Sequence, residues 1–249
     1  MRDFAARYRG ATLGIAWAFL TPLLTALIFT FVFSAVFRLR WGAGTDGDPP
    51  NTSFTLILLV GILLHAMLAE TMNRAASAIV ANASYVKKVV FPLGVLPVVI
   101  VVGALINTLI GFLIVIAGHL ILDGRIAPTA PLVVLILTPY ICLTLGIAFL
   151  LAAFGVYLRD IGQMTSFLST ALMFLSPIIY PISAVPEPFR PIMWLNPLTI
   201  VVEESRNVLL FDRTPDWGTL GLLWVGSIAM LAVGWWVFKR LRVGFADVL

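Results

Sequence analysis

The stretch Leu93–Leu122, LGVLPVVIVVGALINTLIGFLIVIAGHLIL, carries no Asp, Glu, Lys or Arg, and its reading decides the class of fold. A helix needs about 20 apolar residues to cross the roughly 30 Å hydrocarbon core of a bilayer, and this run is longer than that. Lys87 and Lys88 precede it and Asp123-Gly124-Arg125 closes it. The pattern repeats on both sides. Gly10–Phe37 is uncharged and holds a first span at about Ile15–Phe37, and Phe54–Ala69 holds a second, marginal in length and interrupted only by His65. Pro131–Leu158, Ile161–Val185 and Trp217–Phe238 complete a set of six. Pro97, Pro139 and Pro177 fall inside these runs and mark kinks, tolerable in a membrane where neighbours satisfy the freed carbonyls.

Composition agrees. The 249 residues are 61% hydrophobic and 11% charged, with mean hydropathy +1.05, against about 45–50% apolar and 25% charged in soluble domains. The expectation is an all-α membrane protein of six transmembrane helices, residues 1–249 forming one transmembrane domain. A net charge of +4 would suit nucleic acid, but the 16 Lys and Arg lie between apolar blocks rather than in one patch, so topology explains them and no nucleic acid partner is expected. Cys142 lies inside an apolar run, with no second cysteine for a disulfide or metal site, and reads as a packing residue.

Positive charge sets the orientation. With the amino terminus inside, Arg2, Arg7, Arg9, Arg74, Lys87, Lys88, Arg159, Lys239, Arg240 and Arg242 are cytoplasmic, ten against the six of Arg38, Arg40, Arg125, Arg190, Arg206 and Arg213. Both termini are therefore expected in the cytoplasm. The first apolar stretch is longer than the 7–15 residues of a signal-peptide core and is read as a retained span.

Three segments are neither spans nor plain loops. In Arg2–Arg9, Phe4, Tyr8, Ala11 and Ile15 share one face, which predicts an interfacial amphipathic helix; an ordinary basic tail is the alternative. Between spans two and three, Asn73–Pro92 is Ala-rich with Ile79, Ala83, Val86 and Val90 on one stripe and Pro92 as terminator. It predicts a cytoplasmic helix on which something docks, or else an extension of the two spans. From Pro186 to Asp216, short apolar pieces are broken by Asn196-Pro197 and by Glu203, Glu204 and Arg206. None is long enough to cross, so a pair of short re-entrant helices is expected on the outer side, between spans five and six.

Catalytic motifs are absent. No Gly-x-x-x-x-Gly-Lys-Ser/Thr loop exists to bind nucleotide, no His-Glu-x-x-His metal site, and Ser227 after Gly226 lacks the context of a nucleophile elbow. A proton- or sodium-coupled carrier would hold charged groups deep in its spans. Here His65 is the only ionisable side chain well inside one, and Glu70 sits near a cytoplasmic end. Any transport energy is therefore expected from another chain. Thr21, Thr25, Phe29, Phe33 and Phe37 make one stripe in the first span; Ser166, Ser169, Thr170, Met173, Ser176, Pro177 and Tyr180 make another in the fifth. Such hydroxyl stripes serve either tight helix packing or a polar path, and the aromatic rings among them suit the C–H faces of sugars.

Three groups of residues carry a resemblance. Ala6-Arg-Tyr-Arg-Gly-Ala-Thr-Leu-Gly-Ile-Ala-Trp-Ala-Phe-Leu-Thr-Pro22 resembles the approach to span one in polysaccharide-export permeases of the type-2 ABC transporter family. Asn82-Ala-Ser-Tyr-Val-Lys-Lys-Val-Val-Phe-Pro92 and Tyr157-Leu-Arg-Asp-Ile161 resemble its cytoplasmic segments. Ser176-Pro-Ile-Ile-Tyr-Pro181 with Leu195-Asn-Pro197 and Arg206 resembles its outer gate. The similarity runs in order from Ala6 to about Phe211, although many relatives have a longer amphipathic stretch before the Arg-Tyr-Arg motif.

The resemblance implies a homodimeric permease domain in the bacterial inner membrane that is not itself an enzyme. It would pair with a separate nucleotide-binding subunit, which binds ATP and Mg, and move a lipid-linked polysaccharide such as O-antigen or capsule outward. It assigns Ala83, Ser84, Tyr85, Lys87, Lys88, Arg159 and Asp160 to coupling with that subunit. Pro177, Pro181, Asn196, Pro197, Glu203, Glu204 and Arg206 fall to the outer gate, and Thr25, Phe29, Phe33, Phe37, Ser166, Ser169, Thr170, Met173, Ser176 and Tyr180 are the candidate conduit. An exporter of a smaller lipid or drug, a secondary transporter and an intramembrane enzyme are the alternatives.

Overall fold

The computed structural model describes residues 16–32, 54–84, 92–158 and 160–249, and all regular structure among them is helical. In chain order the α-helices are α1 (Trp17–Thr30), α2 (Phe54–Ala75), α3 (Val95–Asp123), α4 (Val133–Tyr157), α5 (Ile161–Phe174), α6 (Arg190–Trp194), α7 (Pro197–Leu209), α8 (Trp217–Leu241) and α9 (Phe245–Val248). Four helical stretches, Phe54–Ala75, Val95–Leu122, Ala130–Tyr157 and Trp217–Val248, are long and apolar enough to cross a bilayer. At about 1.5 Å rise per residue even the shortest reaches roughly 33 Å. The chain is a multi-pass membrane protein.

Helix α2 is the centre of the bundle. Leu56, Ile57, Leu58, Leu59 and Val60 are buried at five consecutive positions, which a helix achieves only when neighbours surround it. Those neighbours are α1, α3, α4, α5 and α7. Because lipid gives no hydrophobic drive between helices, the bundle holds by close packing and hydrogen bonds. Tyr140 Oη on α4 donates to Leu64 O on α2 at 2.6 Å, and Thr30 Oγ1 on α1 meets Thr55 Oγ1 at 3.0 Å. Helices α4 and α8 touch backbone to backbone: a Cβ on Gly146 would lie 2.6 Å from the Met230 carbonyl carbon, and one on Gly234 would overlap the Gly146 carbonyl oxygen.

The connections sort to two ends. Ser166 Oγ lies 3.0 Å from Asn73 Oδ1, and Tyr157 Oη donates to Leu241 O at 2.8 Å, so the turn after α2, the α4–α5 turn and the carboxyl terminus share one end. Ile79, Phe149, Phe238 and Phe245 pack together there. Thr129 Oγ1 donates to Val208 O at 2.8 Å at the other end, which carries the α3–α4 connection and residues 175–216.

Two differences from the sequence reading concern the fifth run and its proline. Helix α5 stops at Phe174, about 21 Å long, although the apolar run continues to Val185. Pro177 disfavours helical geometry at Ser176 and lacks the amide that would continue the ladder, so it stands outside the helix rather than as a kink inside it. The expected amphipathic helix at residues 2–9 and the end of the first span, from 33 to 37, lie outside the described residues.

Candidate functional site

A break in an apolar helix frees carbonyls that a membrane cannot hydrate, so each needs a protein donor. After α5 every one from Phe174 to Ile178 has one. Tyr180 Oη donates to Phe174 O at 2.5 Å, Asn196 Nδ2 to Leu175 O at 3.3 Å, and Ile178 N to Ser176 O at 2.8 Å. Arg206 Nη1 donates to Pro177 O at 2.6 Å and Nη2 to Ile178 O at 2.8 Å.

Arg206 is wholly buried, at 0% exposure. Its Nε donates to Ile57 O on α2 at 3.0 Å, and its Nη1 also pairs with Glu203 Oε1 at 2.8 Å. One guanidinium therefore joins α2, the segment after α5, and α7. Such a buried charge survives only when paired and fully hydrogen-bonded, and the planar fork of five donors suits the task. Gly61 makes room for it: a Cβ there would lie 2.8 Å from Nη2 and 3.2 Å from Ile178 Cα.

Asn196 is the second tie. Its Oδ1 accepts from Leu198 N at 3.0 Å, capping α7, and Pro197 fills the first helical position, where a missing amide costs nothing. Its Nδ2 also reaches Ser176 Oγ at 2.8 Å. The structure thus brings together Ser176, Pro177, Tyr180, Asn196, Pro197, Glu203 and Arg206, which the sequence had joined only in order. Pro181 stands at the edge, half-buried. Glu204 points elsewhere: its Oε2 accepts from Asp216 N at 3.1 Å and Asn207 Nδ2 at 3.4 Å, holding α7 to the start of α8. Burial pushes its carboxyl above the usual range, and those two hydrogen bonds oppose the shift. Asp216 caps α8, and the Gly218 and Thr219 amides hold its carboxyl below the usual range.

The two stripes divide between burial and exposure. On α5, Ser169 is buried, whereas Ser166 and Thr170 are exposed and Met173 packs partly against the core; Ser176, just past the helix, is buried. His65 Nε2 on α2 donates to Ser169 O at 2.8 Å, so this histidine is a tie between helices. On α1, Thr25 Oγ1 donates to Thr21 O at 2.8 Å and Phe29 packs against the core. Phe33 and Phe37 lie outside the described residues. Of the coupling set, Ala83 is half-buried while Ser84 and Asp160 are exposed, all at the end shared by the carboxyl terminus; Tyr85, Lys87, Lys88 and Arg159 lie outside the described residues. The sequence reading missed Gly61 and Asn107. Asn107 Nδ2 donates to Glu70 Oε2 at 3.4 Å, and Glu70 pairs with Arg74 at 3.0 Å; a lone Asn in an uncharged run facing a carboxylate on the preceding helix was the available signal.

The described residues form an all-helical multi-pass bundle with a protein-sheltered helix break at one end. The chain belongs to the ABC-2 type transporter family, whose model matches residues 1–210. It is 31% identical over 258 residues to the O-antigen export system permease protein RfbA of Myxococcus xanthus, covering 99% of this chain and 92% of that one. It is 26% identical over 250 residues to the protein of the same name from Klebsiella pneumoniae, covering 100% and 92%. The Polysialic acid transport protein KpsM of Escherichia coli is 26% identical over 239 residues, covering 94% and 88%.

Proposed function

We propose that this chain is the permease subunit of an ATP-driven exporter that moves a lipid-linked cell-surface polysaccharide across the bacterial inner membrane. The observation that carries the reading is similarity along the whole chain to permeases named for O-antigen and polysialic acid, polymers that share a glycan chemistry. The chain forms one permease domain with six crossings, the first through α1 and the fifth made of α5 together with residues 175–185. Helices α6 and α7 re-enter the membrane from outside, sheltered by Arg206 and Asn196, and both termini are cytoplasmic.

Two copies pair through the apolar sides of α1 and α5 that stand exposed in the single chain, Leu27 and Ile28 on one and Met164 and Phe167 on the other. Ser166 and Thr170 then border a conduit between the copies, with Thr25, Phe29, Phe33, Phe37, Ser169, Met173, Ser176 and Tyr180 along its length. A separate nucleotide-binding subunit holds ATP and Mg, and docks at the end carrying residues 76–84, Asp160 and the carboxyl terminus, with Tyr85, Lys87, Lys88 and Arg159 as further candidate coupling residues.

Deletion of the gene, followed by analysis of surface glycans and of lipid-linked glycan retained inside, tests the reading. Loss of one surface polymer with accumulation of its lipid-linked form, restored by the intact gene, is the expected result. Unchanged surface glycans with a changed lipid or drug-efflux profile would instead select the exporter of a smaller molecule.

A further inference from the structure

Helix α8 ends in a cluster of positive charge. Lys239 and Arg240 occupy its last turn and Arg242 follows it, all three exposed. Among the described residues none of them forms an ion pair or a side-chain hydrogen bond, not even with Asp160 or Asp247 at the same end. The backbone beneath them is held in place. Tyr157 Oη donates to Leu241 O at 2.8 Å, and Phe245, 0% exposed, lies against Phe238 and Tyr157 with ring centroids 5.8 and 6.0 Å away.

Their depth decides what can meet them. Leu222, Val225, Ala229, Ala232 and Trp236 recur every three or four residues and are all exposed, so they form one lipid-facing stripe along α8. Lys239 and Arg240 continue that stripe by one further turn. Trp217 and Trp236, 60% and 66% exposed, stand near the two ends of the helix. The rise between them is about 28 Å, which matches the roughly 30 Å hydrocarbon core, and tryptophan favours the headgroup level at either edge. Lys239 and Arg240 therefore lie about 5 Å beyond one edge, at the depth of the lipid phosphates, where long basic side chains settle by snorkelling. The helix dipole favours cations in a last turn, which accounts for charge at the end of α8 but not for its continuing a lipid-facing stripe.

We infer that the end of α8 carrying Lys239, Arg240 and Arg242 binds the phosphate headgroup of an anionic bilayer phospholipid, with Trp236 seated beside the glycerol below it. Charge complementarity selects that occupant over a zwitterionic lipid, whose own cation opposes the three. The site requires only that α8 cross a bilayer, so it holds whatever molecule is exported.

The test uses the full chain in nanodiscs of equimolar dioleoylphosphatidylcholine and dioleoylphosphatidylglycerol, lipids that differ only in the headgroup. Native mass spectrometry counts the lipids that stay bound on release. Phosphatidylglycerol should be favoured roughly tenfold or more, at about two- to five-fold per cation. Each of Lys239→Gln, Arg240→Gln and Arg242→Gln should lower the preference by that factor, and the triple variant should bring it near unity. Added salt should shrink the preference of the unaltered chain and leave the triple variant unmoved. Lys239→Arg keeps the charge and should keep the preference, as should Arg125→Gln, which removes an exposed cation at the far end of the bundle. The single variants give the answer if the triple variant does not fold. A preference that survives the three single variants, or that falls as far in Arg125→Gln, would overturn the proposal. So would equal retention of both lipids by the unaltered chain, with the variants losing instead the second copy or the nucleotide-binding subunit on co-purification, since the charges would then belong to a protein interface.

Discussion

Replacing Arg206 by Met keeps the length and apolar stem of the side chain and removes every donor. Among the described residues Pro177 O and Ile178 O have no hydrogen bond other than those from Arg206, at 2.6 and 2.8 Å. Ile57 O lies within α2, so the helix's own amide ladder still serves it. Two buried carbonyls are orphaned, at about 1–3 kcal/mol each, which gives roughly 2–6 kcal/mol. Against a typical stability of about 5–15 kcal/mol this is a large loss, and it should fall first on residues 175–180. Gly61→Ala should do part of the same damage by pressing a methyl against Nη2, and the double variant should cost less than the two single changes added, because the pressed atom is gone. Thermal unfolding in nanodiscs reads the total, and hydrogen exchange at Ile178, Ile179 and Tyr180 reads the place. Unaltered exchange there in Arg206→Met, with an unmoved melting temperature, would refute the reasoning.

Other consequences follow from the same geometry. Gly234→Ala should lower stability by about 1–3 kcal/mol, as overpacking does, because its methyl meets the Gly146 backbone, whereas Gly221→Ala, with nothing within 4 Å, should be neutral; equal melting shifts would contradict the backbone contact between α4 and α8. In a Cys142-free background, Ser166→Cys and Thr170→Cys should react with polar thiol reagents faster than Ser169→Cys and Ser176→Cys, which the single chain buries; inert cysteines at Ser166 and Thr170 would remove the conduit assignment. The Asp216 cap gives a pH signature. Its carboxyl is lowered in the fold, so its contribution is present above the unfolded value of 3.8 and fades as pH falls through the lower folded value. Protection of the Gly218 and Thr219 amides should fade in that window and become pH-independent in Asp216→Asn; the same fading in the variant would show that another group is responsible.

The long helices were legible because charge marks their ends. Leu93–Leu122 and Pro131–Leu158 correspond to α3 and α4 within a few residues, since leaving an uncharged run costs a helix its lipid contacts. Ile161–Val185 misled for the same reason: apolar composition continues past Pro177, while whether a break is tolerated depends on donors elsewhere in the chain. Those donors sit at Tyr180, Asn196 and Arg206, and Arg206 reaches α2 across 149 positions. Sequence spacing carries no trace of that reach. Arg206 illustrates the limit from the other side, because it was counted with the solvent-side charges that set orientation and is instead wholly buried.

The distribution of strong ties decides which seams of the bundle can open. Parting α7 from the segment after α5 breaks two bonds from a guanidinium and those from Asn196, at about 1.5–3 kcal/mol for each charge-assisted one. Parting α5 from α2 breaks His65–Ser169 and Ser166–Asn73. The opposite side of α5 needs no such rupture, since Met164, Phe167, Leu168 and Phe174 already stand exposed there. Residues 175–181, α7 and α2 therefore move as one body, and a passage that widens along the exposed side of α5 leaves all of these bonds intact. A polymer path through the core of the single chain would instead have to break the Arg206 bonds at every cycle, so Arg206→Lys, which keeps the charge but loses the fork, should speed export if the path runs there and should lower stability without speeding export if it runs along α5. Export normalised to folded protein separates the two, and a faster variant would place the path through the core.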